Sequence, residues 1–255
     1  MLKRLIKYRF LFEELVKRDF KKKYKRTILG MMWSLLSPLM MLLVMAVVFT
    51  QLLGRDTPHY MIYLFAGLVN FNYFSDATNG GMRSFIQNAD VFSKVDVPKY
   101  MFLLSRNIQS FINYALTLVI FFIFVMIDGL PFSWRFVLLL YPIICLVVFN
   151  IGVGLVLASM MVMFRDMEYL YAIFTQLLMY LSAVFYNINN FVLRTQYLFY
   201  MNPVFVYIRY FRKIVIDAEI PAVSFHLLCA FYAIIMFGVG CLVYVKTNKK
   251  FLYYI

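Results

Sequence analysis

The chain has 255 residues, of which 64% are hydrophobic and 20% aromatic. This composition excludes an ordinary soluble domain and makes the lipid bilayer the solvent in which the chain folds. The formal net charge of +13 does not indicate a nucleic-acid partner, because 11 of the 25 lysines and arginines lie before Ile28, where they suit an anionic membrane surface. We therefore expect a single all-α polytopic membrane domain.

The first predicted element is an amphipathic cytoplasmic interface helix over residues 1–27. Apolar side chains recur on one helical face, whereas the cationic side chains lie largely off that face. This pattern is typical of a helix that lies on the membrane without crossing it. Two interpretations stay open at this stage: a simple membrane anchor, or a docking surface for a cytoplasmic partner.

The first predicted transmembrane span, residues 28–53, directly follows the cationic run of the head. Its 26 residues carry no charge and would reach roughly 39 Å as a helix, enough to cross a bilayer with tilt. Because the cationic run stays on the cytoplasmic side, the span begins at that face. Trp33 lies near that face, and Pro38 lies inside the span, where it frees a backbone carbonyl and predicts a kink.

Five further apolar runs bring the prediction to six transmembrane helices. They are residues 60–80, 108–127, 136–164, 169–186 and 223–245. With this layout, 19 of the 25 lysines and arginines lie inside and six lie outside. The bias predicts a multi-pass protein with both termini in the cytoplasm.

Two polar segments are predicted not to cross the bilayer. Residues 88–99 belong to a cytoplasmic stretch in which Val91, Phe92 and Val95 have the spacing of a short amphipathic helix. Residues 187–222, on the outside, have too many polar interruptions for a span of about 20 apolar residues. A re-entrant or surface-lying pair of short helices fits this outer segment better.

The sequence carries no catalytic or metal-binding signature. None of the ten glycines opens a nucleotide-binding P-loop, only two histidines are present, and no nucleophile elbow is found. The three cysteines, Cys145, Cys229 and Cys241, stand far apart in apolar segments and are expected to be buried small hydrophobes. We therefore expect a transport pathway whose energy comes from another subunit.

Aromatic side chains and arginines accumulate in and just before the outer segment. The rings either anchor the chain at the membrane interface or line a path on which sugar rings stack. On the second interpretation, the arginines would meet phosphates or lipid headgroups. The candidate residues for this glycan path are Phe185, Tyr186, Tyr197, Tyr200, Tyr207, Arg209 and Arg212.

Four stretches together resemble one known family. They are residues 15–38, residues 88–98, the corner at residues 164–168, and Asn202-Pro203 with Tyr210, Arg212 and Pro221. With these stretches the chain resembles the permease subunit of ABC type-2 exporters for cell-surface polysaccharides, the O-antigen and wall teichoic acid exporters. It departs from the family at Ser182-Ala183, where a Ser-Pro pair is usual, and at Asn70-Phe71, near which a tryptophan is often found.

The resemblance implies a homodimeric permease of the bacterial cell membrane that joins two copies of a separate ATPase subunit. ATP and Mg²⁺ would be bound by that ATPase, so this chain would bind no cofactor and would not itself be an enzyme. The resemblance further implies that a lipid-linked glycan crosses the membrane through a channel at the interface between the two copies.

The resemblance also distributes roles among the residues. An ATPase-coupling set comprises Asn88, Asp90, Val91, Phe92, Lys94 and Val95, with Arg165, Asp166 and Glu168 at the corner. Glu13, Glu14, Arg18 and Asp19 on the interface helix would brace this contact. Trp33 and Pro38, together with the fifth span, would form a lateral gate for the lipid pyrophosphate, and the outer aromatic segment would line or cap the exit.

Other functions stay open. One is an ABC-type permease that exports drugs or small lipids with similar architecture. Another is an integral-membrane enzyme acting on polyprenyl lipids, which would need carboxylates or histidines clustered at one membrane face, and the sequence offers no such cluster. A purely structural scaffold is disfavoured by the polar groups in the second and third spans.

Overall fold

A computed structural model describes residues 8–24, 30–52, 59–92, 97–188, 191–248 and 251, and every regular element in them is helical. The α-helices are α1 (Arg9–Tyr24), α2 (Trp33–Leu52), α3 (Tyr60–Arg83), α4 (Ala89–Phe92), α5 (Tyr100–Ile127), α6 (Leu140–Met163), α7 (Met167–Leu181), α8 (Leu193–Phe199), α9 (Pro203–Val215) and α10 (Val223–Asn248). Short 3-10 helices cover Gly30–Met32, Ile86–Asn88 and Trp134–Leu139.

Three stretches among the described residues are long and apolar enough to cross a membrane. They are Tyr100–Ile127, Trp134–Met163 and Val223–Asn248. The all-α membrane protein expected from composition is therefore confirmed at this level, whereas the count of six spans stays a prediction. The helix at the fifth predicted span, α7, has 15 residues and reaches only about 22 Å, less than the hydrocarbon thickness of a typical bilayer.

Among the helix boundaries that differ from those predicted are the start of the third span and the end of the fifth. The third predicted span begins at residue 108, but α5 begins at Tyr100, two residues after Pro98. The charge of Arg106 does not end the helix; its guanidinium donates to Gln87 in the Ile86–Asn88 turn and to Gln109 one turn further along α5. The fifth predicted span extends to residue 186, but α7 ends at Leu181.

The break after α7 forms without the proline that is usual in the resembled family. Ala183 has a φ of 49°, in the left-handed region that proline cannot adopt. The backbone N–H of Ser182 donates to the carbonyl of Leu178 at 2.8 Å and closes the last helical turn. A left-handed residue just past the helix end is a common way to stop a helix.

Helix α6 lies at the centre of the packing and contacts α10 and α3 most extensively. Its closest approach to α10 is at Gly152. A Cβ added at Gly152 would lie 2.5 Å from the backbone of Met236, and one added at Gly240 would lie 2.5 Å from the Gly152 carbonyl oxygen. The two backbones thus touch directly, which is the use of small residues expected between helices in a membrane.

The outer segment forms two helices, one buried and one mostly exposed. Asn202 accepts hydrogen bonds from the N–H groups of Val204 and Phe205 and so caps α9, with Pro203 at the first helical position. Nearly every side chain of α9 is buried against α3, α10 and the Trp134–Leu139 turn. By contrast, α8 is mostly exposed. The assignment of this pair as re-entrant stays a prediction.

The amino-terminal helix and the end of α10 lie at the same end of the bundle. Leu15 of α1 belongs to a buried apolar cluster with Phe85, Tyr244 and Phe251. The Lys99 ammonium donates to the Asn248 carbonyl at 3.3 Å. The placement of both termini in the cytoplasm stays a prediction.

Candidate functional site

A cavity of about 650 Å³ lies between α2, α3 and α5. On the α2 side, Trp33, Ser37 and Met41 are spaced four residues apart, so they share the helical face that lines it. The facing polar wall comprises Asn72, Ser75 and Asp76 on α3 and Ser110, Asn113 and Thr117 on α5.

The polar groups in this wall are mainly neutral amides and hydroxyls. Among the described residues, Asp76 is the one charged side chain that lines the cavity. The rings of Tyr73 and Tyr114 stack beside it with centroids 4.4 Å apart, and the Tyr114 hydroxyl donates to Asn70 Oδ1 at 2.8 Å. Polar groups inside a membrane domain are costly against lipid, so a wall of this kind indicates a space filled by water or by a polar ligand.

A second, smaller cavity of about 290 Å³ continues this polar surface. It shares Asp76, Ser110 and Asn113 with the first cavity. It then extends to Gln87 and Arg106, beside the segment predicted to contact the ATPase. The two cavities therefore form one polar path from the α1 end of the bundle towards its middle.

The residues predicted as a lateral gate lie on this path. Trp33 and Pro38 both line the larger cavity, and α2 runs through Pro38 as one helix. Their facing elements are α3 and α5, whereas α7, which carries the fifth predicted span, lines a separate apolar cavity of about 410 Å³ with α6 and the start of α9. A gate that also involves α7 stays a prediction.

The predicted coupling residues within the segment 88–99 lie in different environments. Asn88 is buried, and its side-chain amide donates to the Ser84 carbonyl at 2.7 Å, so it holds the turn that follows α3. Asp90 is exposed, and Val91 is half-buried against the apolar cluster around Leu15. Lys94 and Val95 lie outside the described residues, and of Phe92 only the backbone is described.

The predicted coupling corner lies beside the end of α3. Arg165 and Asp166 are exposed in the turn between α6 and α7. Glu168 is half-buried and forms an ion pair of 2.7 Å with Arg83, the last residue of α3. The pair joins the corner to the end of α3, the helix that leads through the Ile86–Asn88 turn towards the other predicted coupling segment.

The four residues predicted as a brace on α1 point in two directions. Glu13 and Glu14 are exposed and hydrogen-bond Arg9 and Lys17, and these bonds raise the pKa of both cations. Asp19 is 1% exposed and faces α5.

Asp19 is held by partners on both helices. Its carboxylate accepts from the Ser105 hydroxyl at 2.8 Å and from Arg18 at 2.8 Å. Asp19 and Arg18 thus attach α1 to the bundle, while Glu13 and Glu14 stay available to a partner.

Arg212, predicted for the glycan path, lies in the protein core. Its guanidinium donates to the carbonyls of Ala183 and Val184 at 2.8 Å each and to that of Tyr63 at 3.1 Å. The guanidinium carbon also lies 3.4 Å from the centroid of the Tyr63 ring. Gly67 makes room for it, since a Cβ there would lie 2.5 Å from Arg212 Nη2.

Arg212 therefore satisfies carbonyls that the break after α7 leaves free. Its assignment to the glycan path stays a prediction. Sequence reasoning missed its structural role, although the signal is present: Phe205, Ile208 and Arg212 have helical spacing on a strongly amphipathic segment.

The other predicted path residues divide by exposure. Phe185 and Tyr207 are buried in the same core as Arg212. Tyr186, Tyr200 and Arg209 are half-buried, and Tyr197 on α8 is 69% exposed. Of the predicted path residues, only Tyr186, Tyr197, Tyr200 and Arg209 remain accessible to a ligand at the outer surface.

The model of one protein family, described as ABC-2 type transporter, matches residues 11–216. The chain belongs to the ABC-2 type transporter family. The match includes α1 and continues through α9, so it covers both polar cavities and the buried Arg212.

Relatives of this ABC-2 type transporter have names that refer to polysaccharide export. It is 27% identical over 192 residues to the O-antigen export system permease protein RfbA of Myxococcus xanthus, covering 74% of this chain and 73% of that protein. It is 24% identical over 249 residues to the RfbA protein of Klebsiella pneumoniae, covering 95% of each. It is 23% identical over 244 residues to the polysialic acid transport protein KpsM of Escherichia coli, covering 93% of each.

Metal-ligating side chains are dispersed in the part of this ABC-2 type transporter that the structure describes. No group of three or more His, Cys, Asp or Glu residues is placed there to hold a metal ion. The three cysteines are free thiols; Cys145 and Cys229 are buried, as expected, and Cys241 is half-buried.

Proposed function

We propose that this chain is the membrane subunit of an ATP-driven exporter that moves a lipid-linked polysaccharide out of the cytoplasm, and that the polar cavity between α2, α3 and α5 lies on the path of the glycan. The observation that carries the proposal is a wall of neutral amides and hydroxyls with two stacked tyrosines inside an otherwise apolar domain. The names of the relatives favour a polysaccharide as the transported molecule.

The chemistry of the wall suits a sugar polymer. Amides and hydroxyls exchange hydrogen bonds with sugar hydroxyls, and aromatic faces provide apolar contact for the ring carbons. Because few charges line the space, successive sugar units can pass without being held at one strong site. A passage needs binding weak enough for release.

The exporter contains two copies of this chain and two copies of an ATPase that binds ATP and Mg²⁺. Two bundles that face each other can enclose a channel wide enough for a polymer. The exposed side chains near the α1 end, among them Asp90, Arg165 and Asp166, form the contact with the ATPase.

The proposal is tested by complementation of cells depleted of the chain. Depletion is expected to remove the glycan from the cell surface and to accumulate lipid-linked glycan in the cytoplasmic leaflet. The variant Asn113→Leu places an apolar side chain in the cavity wall and is expected not to restore export. Its control, Ala115→Leu, places the same side chain on an exposed part of α5 and is expected to restore it. Equal amounts of both variants in the membrane are verified by immunoblotting.

A normal surface glycan after depletion would overturn the proposal. A second candidate, export of a drug or small lipid, is favoured by the apolar cavity of about 410 Å³ between α6, α7 and the start of α9. In that case, depletion would leave the glycan unchanged and would raise the sensitivity of the cells to amphiphilic compounds.

A further inference from the structure

Arg106 lies near the start of α5, where it contacts three different elements. Its Nη2 donates to Gln87 Oε1 at 3.0 Å, in the Ile86–Asn88 turn that follows α3. Its Nη1 donates to Gln109 Oε1, also at 3.0 Å, one turn further along α5. Its Nε lies 3.7 Å from Asp19 Oδ2 on α1. One side chain thus joins the interface helix, the turn at the start of the predicted coupling segment and the third predicted span.

The partners of Arg106 are fixed to different degrees. Asp19 is almost fully buried and is held by Ser105 and Arg18. Gln109 is 5% exposed, whereas Gln87 is exposed on the surface. Displacement of Gln87 by a bound subunit would therefore pull on Arg106 against two buried anchors.

The Nε of Arg106 is held less firmly than the other two nitrogens of its guanidinium. Among the described residues it is buried without a hydrogen-bond acceptor, and its relation to Asp19 is electrostatic at 3.7 Å. A buried donor left without an acceptor is a cost that a second arrangement of the same groups can remove. A shift of Arg106 towards Asp19 would supply that acceptor and would change its bonds to the two glutamines.

The contacts of Arg106 continue into the polar path. Arg106, Gln87 and Gln109 line the smaller cavity, which shares Asp76, Ser110 and Asn113 with the larger one. Two hydrogen bonds of 3.0 Å therefore connect a surface residue of the coupling region to a buried residue of the cavity wall. The planar guanidinium, with five N–H donors, can hold three partners at once, whereas a lysine ammonium offers one compact charge.

We infer that Arg106 is a positioning residue that transmits movement of α1 and of the Ile86–Asn88 turn, which leads into the predicted coupling segment, to the polar cavity. The inference rests on the proposed function, because it assigns a regulatory link to the same path. It concerns a residue that neither the motifs nor the comparisons single out. Loss of Arg106 is expected to separate ATP hydrolysis from transport while both subunits stay assembled.

The test uses the complete complex with its ATPase, purified and reconstituted into vesicles with lipid-linked glycan. Arg106→Gln is expected to keep ATP hydrolysis within about two-fold of wild type and to lower the glycan transported per ATP by about ten-fold, within the range of coupling between linked sites. Arg106→Lys is expected to transport an intermediate amount of glycan per ATP, because lysine keeps the positive charge but lacks the planar guanidinium that holds several partners. The control Arg194→Gln removes an exposed arginine of α8, away from the α1 end, and it is expected to leave both rates unchanged.

The inference would be overturned if Arg106→Gln lowered ATP hydrolysis and transport in proportion. It would also be overturned if the amount of glycan transported per ATP stayed at the wild-type value. If Arg106→Gln does not assemble, Gln87→Ala removes the same hydrogen bond from the exposed side, and a normal ratio in that variant has the same meaning. If both variants assemble, their double mutant is expected to be no worse than Arg106→Gln, because both interrupt one connection. Failure of the proposed function is distinguishable, since the wild-type complex would then transport no glycan at all.

Discussion

Arg212 lies inside an apolar domain, where its guanidinium contacts, within the described part of the chain, three carbonyls and an aromatic ring rather than a carboxylate. Moving an arginine out of water costs several kcal/mol unless its donors are satisfied. Here the guanidinium fork meets the two consecutive carbonyls of Ala183 and Val184, and the face of Tyr63 adds a cation–π contact. The Arg212 guanidinium therefore attaches α9 to α3 and to the break after α7.

Replacement of Arg212 by methionine is expected to destabilise the protein by about 3 kcal/mol or more, because carbonyls at the break would be left buried without donors. The measurement is thermal unfolding in detergent. The control is Arg194→Met, at an exposed position of α8, for which a change of less than about 0.5 kcal/mol is expected. Equal unfolding temperatures for the two variants would contradict the role assigned to Arg212.

At the residue scale, the sequence identified several important positions but not the direction of each side chain. The resemblance grouped Glu13, Glu14, Arg18 and Asp19 as one brace for the ATPase contact. In the structure Asp19 lies on the face of Leu15, four residues earlier, and both are buried towards α5. The spacing to Leu15 contained this information, but a single helix does not reveal which acidic residue finds a partner.

The crossing of α6 and α10 depends on direct backbone contact at Gly152. Gly152→Ala is expected to destabilise the protein by about 1–3 kcal/mol, because its Cβ would lie 2.5 Å from the backbone of Met236 and the helices would have to separate. Gly238→Ala is the matched control on α10, where an added Cβ meets nothing within 4 Å.

The control is expected to be neutral or slightly stabilising, since alanine favours a helix over glycine. Unfolding in detergent measures both changes. The interpretation of this crossing would be wrong if Gly152→Ala were as stable as Gly238→Ala.

At the element scale, helices with uniform apolar composition were predicted well, and their polar ends were predicted poorly. The sequence placed Arg106 in a loop, yet α5 includes it because Gln87 and Gln109 accept its hydrogen bonds. The end of α7 was placed too late because no proline marks it and Ala183 stops the helix through a left-handed φ. These features depend on tertiary partners, which local composition does not contain.

For the whole molecule, the α1 end of the bundle gathers the features expected of a contact with another subunit. The exposed ion pairs of α1, the turn after α3 and the corner between α6 and α7 all lie there. If this end receives the ATPase, replacing both Phe92 and Val95 by aspartate is expected to abolish co-purification of the two subunits, because charges would replace apolar contacts. Undiminished co-purification would remove residues 88–99 from the contact.

The polar cavity could be predicted only in part. Trp33 and Pro38 were singled out in the sequence, and so were the polar groups of the second and third predicted spans. That α5 supplies the facing wall was missed, although Ser110, Asn113 and Thr117 repeat at helical spacing. Which faces of separate helices meet follows from packing, and the sequence of one helix does not specify it.

The central claim is that the glycan passes the cavity between α2, α3 and α5. The most direct measurement places a photo-crosslinking amino acid at either Asn72, which lines this cavity, or Phe174, which lines the apolar cavity beside α7. The complete complex is illuminated during transport of a labelled lipid-linked glycan. We predict ATP-dependent crosslinks to the sugar chain from position 72 and none from position 174; crosslinks to the sugar chain from position 174 alone would contradict the claim.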